Sequence, residues 1–78
     1  MKVYIKLEGS LTKFNNNVKD KETGISLPDG ATVSDLIKKI AIPGQYISLI
    51  TINKKISTQA TKINPGDEIT FYPPIGGG

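Results

Sequence analysis

The stretch from Asp67 to Gly78 constrains this chain more than any other. Ile69 and Phe71 alternate with Thr70 and Tyr72, the two-residue period of a half-buried strand. Pro73 and Pro74 follow. Neither has a backbone N–H and both fix φ, so a sheet ladder ends there and the chain leaves as an extended rod. Ile75 and the glycines Gly76, Gly77 and Gly78 complete the sequence. Glycines bury no side chain; they form a thin, flexible peptide carrying a free carboxylate. From Pro73 to Gly78 the extended reach is about 20 Å at roughly 3.3 Å per residue, enough to place Gly78 inside another protein's pocket while the body stays outside. Taken alone, the glycines would read as a frayed terminus or a cloning remnant. A strand, two prolines and then glycines, with no Ser-rich linker between them, read as a built feature.

The rest of the composition narrows the function classes. The chain has 78 residues, which means one small domain that buries only about 60% of its unfolded surface. Cys is absent, so no disulfide helps, and a reducing compartment fits. No apolar run approaches the roughly 20 residues of a membrane span. Met1 to Lys6 alternates instead of forming a signal-peptide apolar region, so the expected address is the cytoplasm, with no membrane partner. With neither Cys nor His, thiol nucleophiles, Ser-His dyads and Cys/His metal sites are excluded, and no metal is expected. Arg is absent too, which removes the guanidinium fork for phosphate. Such a chain is not expected to be an enzyme; the reacting group left to it is its own C-terminal carboxylate. The net charge of +3 comes from ten lysines scattered among seven acidic residues. No basic stripe with interleaved aromatics forms, so no nucleic-acid partner is expected.

Taken in order, residues 2–8 read as a strand with Val3, Ile5 and Leu7 on the core face. Leu11 to Phe14 can make a helical turn, Asn15 to Asn17 reads as loop, and a charged stretch runs to Gly24. Ile25 to Leu27 is a short second strand ended by Pro28-Asp29-Gly30. Thr32 opens a helix with Asp35 completing a capping-box variant. Val33, Leu36, Ile37 and Ile40 form its core stripe, and Pro43-Gly44 is expected to stop it. Tyr46 to Asn53 reads as a third strand, Lys55 to Ser57 as a short edge strand, Ile63 as a core anchor, and Asn64 to Asp67 as the turn delivering the last strand. The order β-β-α-β-β-β with a single helix argues for an α+β fold, a mixed sheet of four to five strands covered on one face. Residues 1–72 form the domain and 73–78 a flexible C-terminal Gly tail.

Four stretches resemble the MoaD/ThiS sulfur carriers, ubiquitin-like proteins of the β-grasp fold. Leu7-Glu8-Gly9-Ser10-Leu11-Thr12 is similar to an F-G-x-L-R segment, with Glu8 in place of the aromatic residue and Thr12 in place of Arg. Leu27-Pro28-Asp29-Gly30-Ala31-Thr32-Val33-Ser34-Asp35-Leu36 is similar to the segment that starts the family helix. Ile52-Asn53 is similar to a V-N that ends the third strand, and Gly66 through Gly78 to G-D-E-V-x-F-x-P-P-V-x-G-G. The paired prolines favour the molybdopterin branch. The resemblance implies a carrier whose Gly78 carboxylate is adenylated and then converted to a thiocarboxylate. The activating partner would be a ubiquitin-activating-type adenylyltransferase, which uses MgATP; the carrier binds no cofactor itself. The sulfur acceptor would be the large subunit of molybdopterin synthase or thiazole synthase. The tail residues Pro73, Pro74, Ile75, Gly76 and Gly77 would thread a narrow channel. If Gly78 were trimmed, Gly77 would react instead.

The third strand alternates ambiguously, with Ile50 and Ile52 in one set and Ile47, Leu49 and Thr51 in the other. If Ile50 and Ile52 face the helix with Val3, Ile5, Leu7, Ile69 and Phe71, then Tyr4, Leu49, Thr51, Thr70 and Tyr72 lie on the sheet face away from it, beside the exiting tail. An apolar centre there reads as a partner-docking face on a chain that is monomeric alone. Two other uses of the same sequence stay open. One is a protein modifier joined to lysines through the same C-terminus; the other is a plain β-grasp interaction module.

Overall fold

The computed structural model describes residues 1–18 and 24–74. Five strands, β1 (Lys2–Leu7), β2 (Ile25–Ser26), β3 (Leu49–Ile52), β4 (Lys55–Ser57) and β5 (Glu68–Tyr72), make one mixed sheet in the order β2-β1-β5-β3-β4. β1 and β5 pair in parallel at its centre, and the other neighbours are antiparallel. One α-helix, α1 (Val33–Ile40), covers one face. This is the α+β, ubiquitin-like β-grasp that the order of elements implied.

The core follows from two periodicities. Val3, Ile5 and Leu7 of β1, Ile50 and Ile52 of β3, and Ile69 and Phe71 of β5 are all buried. They meet Val33, Leu36, Ile37 and Ile40 of α1, one apolar stripe of a 3.6-residue repeat. With eight residues, α1 is shorter than the roughly 12–15 an isolated helix needs, so its stability comes from this packing and from its caps. The capping box is complete: Thr32 Oγ1 accepts from the Asp35 N–H at 3.3 Å, and Asp35 Oδ2 accepts from the Thr32 N–H at 2.9 Å.

Three local expectations change. The helix ends at Ala41, which takes the left-handed conformation (φ 57°) and whose N–H donates to Ile37 O. Pro43 causes this at a distance, since the residue before a proline is driven out of the helical region, and Ala41 turns before Gly44 is reached. Residues 46–48 are not strand: Gly44–Tyr46 form a 3-10 turn, and β3 starts at Leu49. Asn15 to Asn17 are not loop either. A 3-10 segment runs through Gly9–Asn17, and the Asn17 amide donates to Ile40 O at 3.0 Å. It thereby satisfies one of the carbonyls that a helix C-terminus leaves open. Leu11, Val18, Ile42 and Ile63 complete the core from these connecting segments.

Candidate functional site

Strand β5 is held at both ends, by different means. Where it starts, the Asp67 carboxylate accepts from the Asn64 N–H at 2.8 Å and from the Asn53 amide at 2.9 Å. Asn53 Oδ1 accepts from the Glu68 N–H at 3.0 Å, and the Asn53 N–H donates to Glu68 O at 2.8 Å. The Gly66 N–H donates to Lys2 O and the Tyr4 N–H to Asp67 O, at 2.7 and 2.9 Å. Asn53 and Lys54 both have positive φ, 51° and 71°, the pattern of a two-residue hairpin turn joining β3 to β4. These bonds tie that hairpin, β1 and the turn at Pro65 into one network that sets the register of β5.

Where β5 ends, the bonds are few and backbone only. The Glu8 N–H donates to Phe71 O at 3.1 Å from one side, and the Ser48 N–H donates to Tyr72 O at 2.8 Å from the other. Pro73 and Pro74 then offer no donor. Around this exit lies an apolar depression of about 400 Å³ between Glu8, Gly9, Ser48, Leu49, Tyr72, Pro73 and Pro74. Gly9 has φ +53°, and a Cβ there would sit 3.0 Å from Pro73 Cγ. Pro73 is half-buried and Pro74 exposed. Ile75, Gly76, Gly77 and Gly78, the tail residues assigned to the chemistry, lie outside the described residues, as do the central residues of the charged stretch, 19–23.

On the face away from α1, cross-strand pairing places Lys6, Thr70, Thr51 and Ile56 in one row. Leu49 stands opposite Tyr72 in the row nearest the exit, and Tyr4 opposite Glu68 in the row farthest from it. Tyr4 and Leu49 are exposed and Tyr72 is half-buried. Thr51 and Thr70 sit on this face too, but at 7% and 6% exposure they offer a partner almost no free surface. Both are short side chains on interior strands, flanked in their row by the longer Lys6 and Ile56. Ile56 itself is 78% exposed, and the sequence reading left it out of the face. The signal was present in Lys-Ile-Ser, where the lone apolar residue alternates against two polar ones. Ahead of β3, the half-buried Phe14 ring, packed against the core, and the exposed Tyr46 ring stand 5.6 Å apart, with Lys13 Nζ 5.3 and 4.7 Å from their centroids. It joins the two 3-10 segments through cation–π contacts.

The perturbed carboxylate does not line the exit. Hydrogen bonds from the Thr32 backbone and then from its side chain hold Asp35 below its ordinary pKa, with Lys38 adding to the effect. Among the described residues no group of His, Cys, Asp and Glu is arranged to hold a metal ion. No helix among them is long and apolar enough to cross a membrane.

A five-stranded mixed sheet with one helix on its face, its fifth strand held in register at one end and ended by paired prolines at the other, is a ubiquitin-like β-grasp. The chain belongs to the ThiS family, which it matches over residues 12–78. The crystal structure of SAMP1 from Haloferax volcanii has the same fold, with a TM-score of 0.68 over 100% of both chains at 17% identity. No curated protein matches the chain's sequence significantly.

Proposed function

We propose that the chain is a sulfur carrier that reacts through the Gly78 carboxylate. The observation that supports this best is the exit of β5. Backbone bonds hold the strand on both sides up to Tyr72, and Pro73 and Pro74 then offer no N–H to continue the ladder. A carboxylate is a poor electrophile, and adenylation gives it a good leaving group. Its oxygen attacks the α-phosphate of ATP, bound with Mg²⁺ by a ubiquitin-activating-type adenylyltransferase, and pyrophosphate leaves. The terminal sulfur of a persulfide then attacks the acyl carbon and AMP leaves. A thiol cleaves the resulting acyl disulfide, giving a thiocarboxylate and a new disulfide. No step needs a catalytic side chain of the carrier, so a chain without Cys or His can serve. The sulfur acceptor is a synthase of molybdopterin or thiazole formation, and the paired prolines favour the first. The face bearing Tyr4, Leu49, Tyr72 and Ile56 docks the body while the tail enters the active site.

The test is intact mass after incubation with MgATP, a cognate activating enzyme and a sulfur donor. One oxygen-for-sulfur exchange mapped to the C-terminal peptide establishes the carrier and identifies the reacting glycine. A lysine amine meeting the same acyl adenylate would give an isopeptide bond, so lysine conjugates without sulfur exchange would replace the carrier by a modifier. No adenylate, with an enzyme shown to act on its own carrier, would leave only the interaction module.

A further inference from the structure

Gly9 is the point where the body touches Pro73, at the base of the tail, and its own surroundings are fixed. The Glu8 N–H is bonded to Phe71 O, Glu8 O accepts from the Leu11 N–H at 3.0 Å, and Gly9 O accepts from the Thr12 hydroxyl at 3.0 Å. Leu11 is fully buried in the core. The backbone at Gly9 therefore has nowhere to retreat. Pro73 sits on the other side of the contact, with no N–H to anchor it and exposed Pro74 beyond it. A Cβ at position 9 would be 3.0 Å from Pro73 Cγ and 3.5 Å from Pro73 Cδ. The first distance is closer than a carbon pair at its optimal separation of about 3.5–4.0 Å. The member of the pair that yields is the proline. A displacement of the ring changes the direction in which the chain leaves the body at Pro73 and Pro74.

We propose that Gly9 is a positioning residue for the tail: its missing side chain seats the Pro73 ring and so sets the direction in which the reacting carboxylate leaves the body. This deepens the carrier reading and rests on it for its kinetic consequence. The geometric consequence does not depend on that reading.

The informative substitution is Gly9→Asn. Asn accepts positive φ better than other side-chain-bearing residues, so the backbone survives while a Cβ enters the seat. With the full chain, MgATP and a cognate activating enzyme, Gly9→Asn is expected to lower kcat for adenylation by about 10- to 100-fold with a smaller change in KM, because Tyr4, Leu49, Tyr72 and Ile56 keep their side chains while the near-attack geometry is disturbed. In a Pro73→Ala background the same substitution should have no further effect, since the ring it displaces is gone. Equal loss in both backgrounds, or no loss in a folded Gly9→Asn, overturns the proposal. A second readout needs no activity. The chain has no native cysteine, so Gly78→Cys carries a single spin label whose broadening of backbone amides maps where the tail end travels. Gly9→Asn should move that pattern relative to Ser48 and Leu49, and in the Pro73→Ala background it should not. An unchanged pattern in Gly9→Asn overturns the seat. If the unmodified chain is never adenylated, the carrier reading falls and the label pattern alone decides the role of Gly9.

Discussion

The two ends of β5 are opposites. At Asn53, Asn64 and Asp67 the strand is received by side-chain and backbone hydrogen bonds that reach β1 and the β3–β4 hairpin. At Tyr72 to Pro74 it is let go after two backbone bonds, beside an apolar depression. One end fixes register, and in a sheet a slip of one residue would turn every core side chain of β5 outward. The other end converts that fixed register into a fixed exit point for a tail. Stability should therefore reside at the first end and chemistry at the second, and substitutions can separate the two.

The largest separation comes from deleting Gly77 and Gly78. Adenylation and sulfur loading should vanish while the thermal midpoint stays where it was, read by intact mass and by calorimetry on the same sample. A truncated chain that still accepts sulfur would break the assignment of chemistry to the tail. Asp67→Ala should do the reverse. It removes a buried carboxylate that accepts from the Asn64 N–H and the Asn53 amide, and hydrogen bonds to a charged group are worth about 1.5–3 kcal/mol. Denaturant unfolding should show that loss, while the folded fraction is adenylated like the unmodified chain. A stable Asp67→Ala with crippled adenylation would mean the two ends are not independent.

The same contrast explains how much of the molecule was legible in its sequence. Val3, Ile5, Leu7, Ile69 and Phe71 declare the core face by local alternation, and Val33, Leu36, Ile37 and Ile40 declare the helix stripe; the structure places them all as the patterns implied. Gly66 and Asp67 read as turn residues and Asn53 as the end of the third strand, but their hydrogen bonds were not legible, because most of the partners lie on other strands. Thr51 and Thr70 failed for the same reason. Alternation told which face they share, but their cover comes from neighbours across the strands, and pairing register is not a local property. Asn17 read as loop because the carbonyl it serves, Ile40 O, is far along the chain. The exit of β5 was legible since proline and glycine act on the backbone wherever they stand.

Leu49→Glu sharpens the chemical end. Leu49 is 38% exposed and lines the exit depression opposite Tyr72. A carboxylate there should leave folding intact and weaken binding of the activating enzyme by about 1–2 kcal/mol, roughly tenfold in Kd, as for an apolar contact near the centre of an interface. Calorimetric titration of the folded variant checks it, and unchanged affinity would move the docking surface elsewhere.

The smallest effect belongs to the helix cap, whose hydrogen bonds involve no residue of β5. The Thr32–Asp35 box caps α1, and its hydrogen bonds hold the Asp35 pKa below the ordinary value. A carboxylate whose pKa is lower folded than unfolded binds fewer protons in the native state. Its contribution is therefore fully present above the unfolded value of about 3.9 and fades as pH falls through the lower folded value. Thr32→Ala removes the side-chain part of that shift and the hydroxyl that accepts from the Asp35 N–H, so it should lower stability slightly at neutral pH. Between the folded value and about pH 3.9 it should also flatten the acid limb of the stability curve. Urea midpoints across acid pH show this as two curves that converge as the medium becomes more acidic. Curves that stay parallel down to the lowest pH would mean that the Thr32 hydroxyl works by capping backbone N–H groups alone. In either case adenylation at neutral pH should not change, because the box is bonded to neither end of β5.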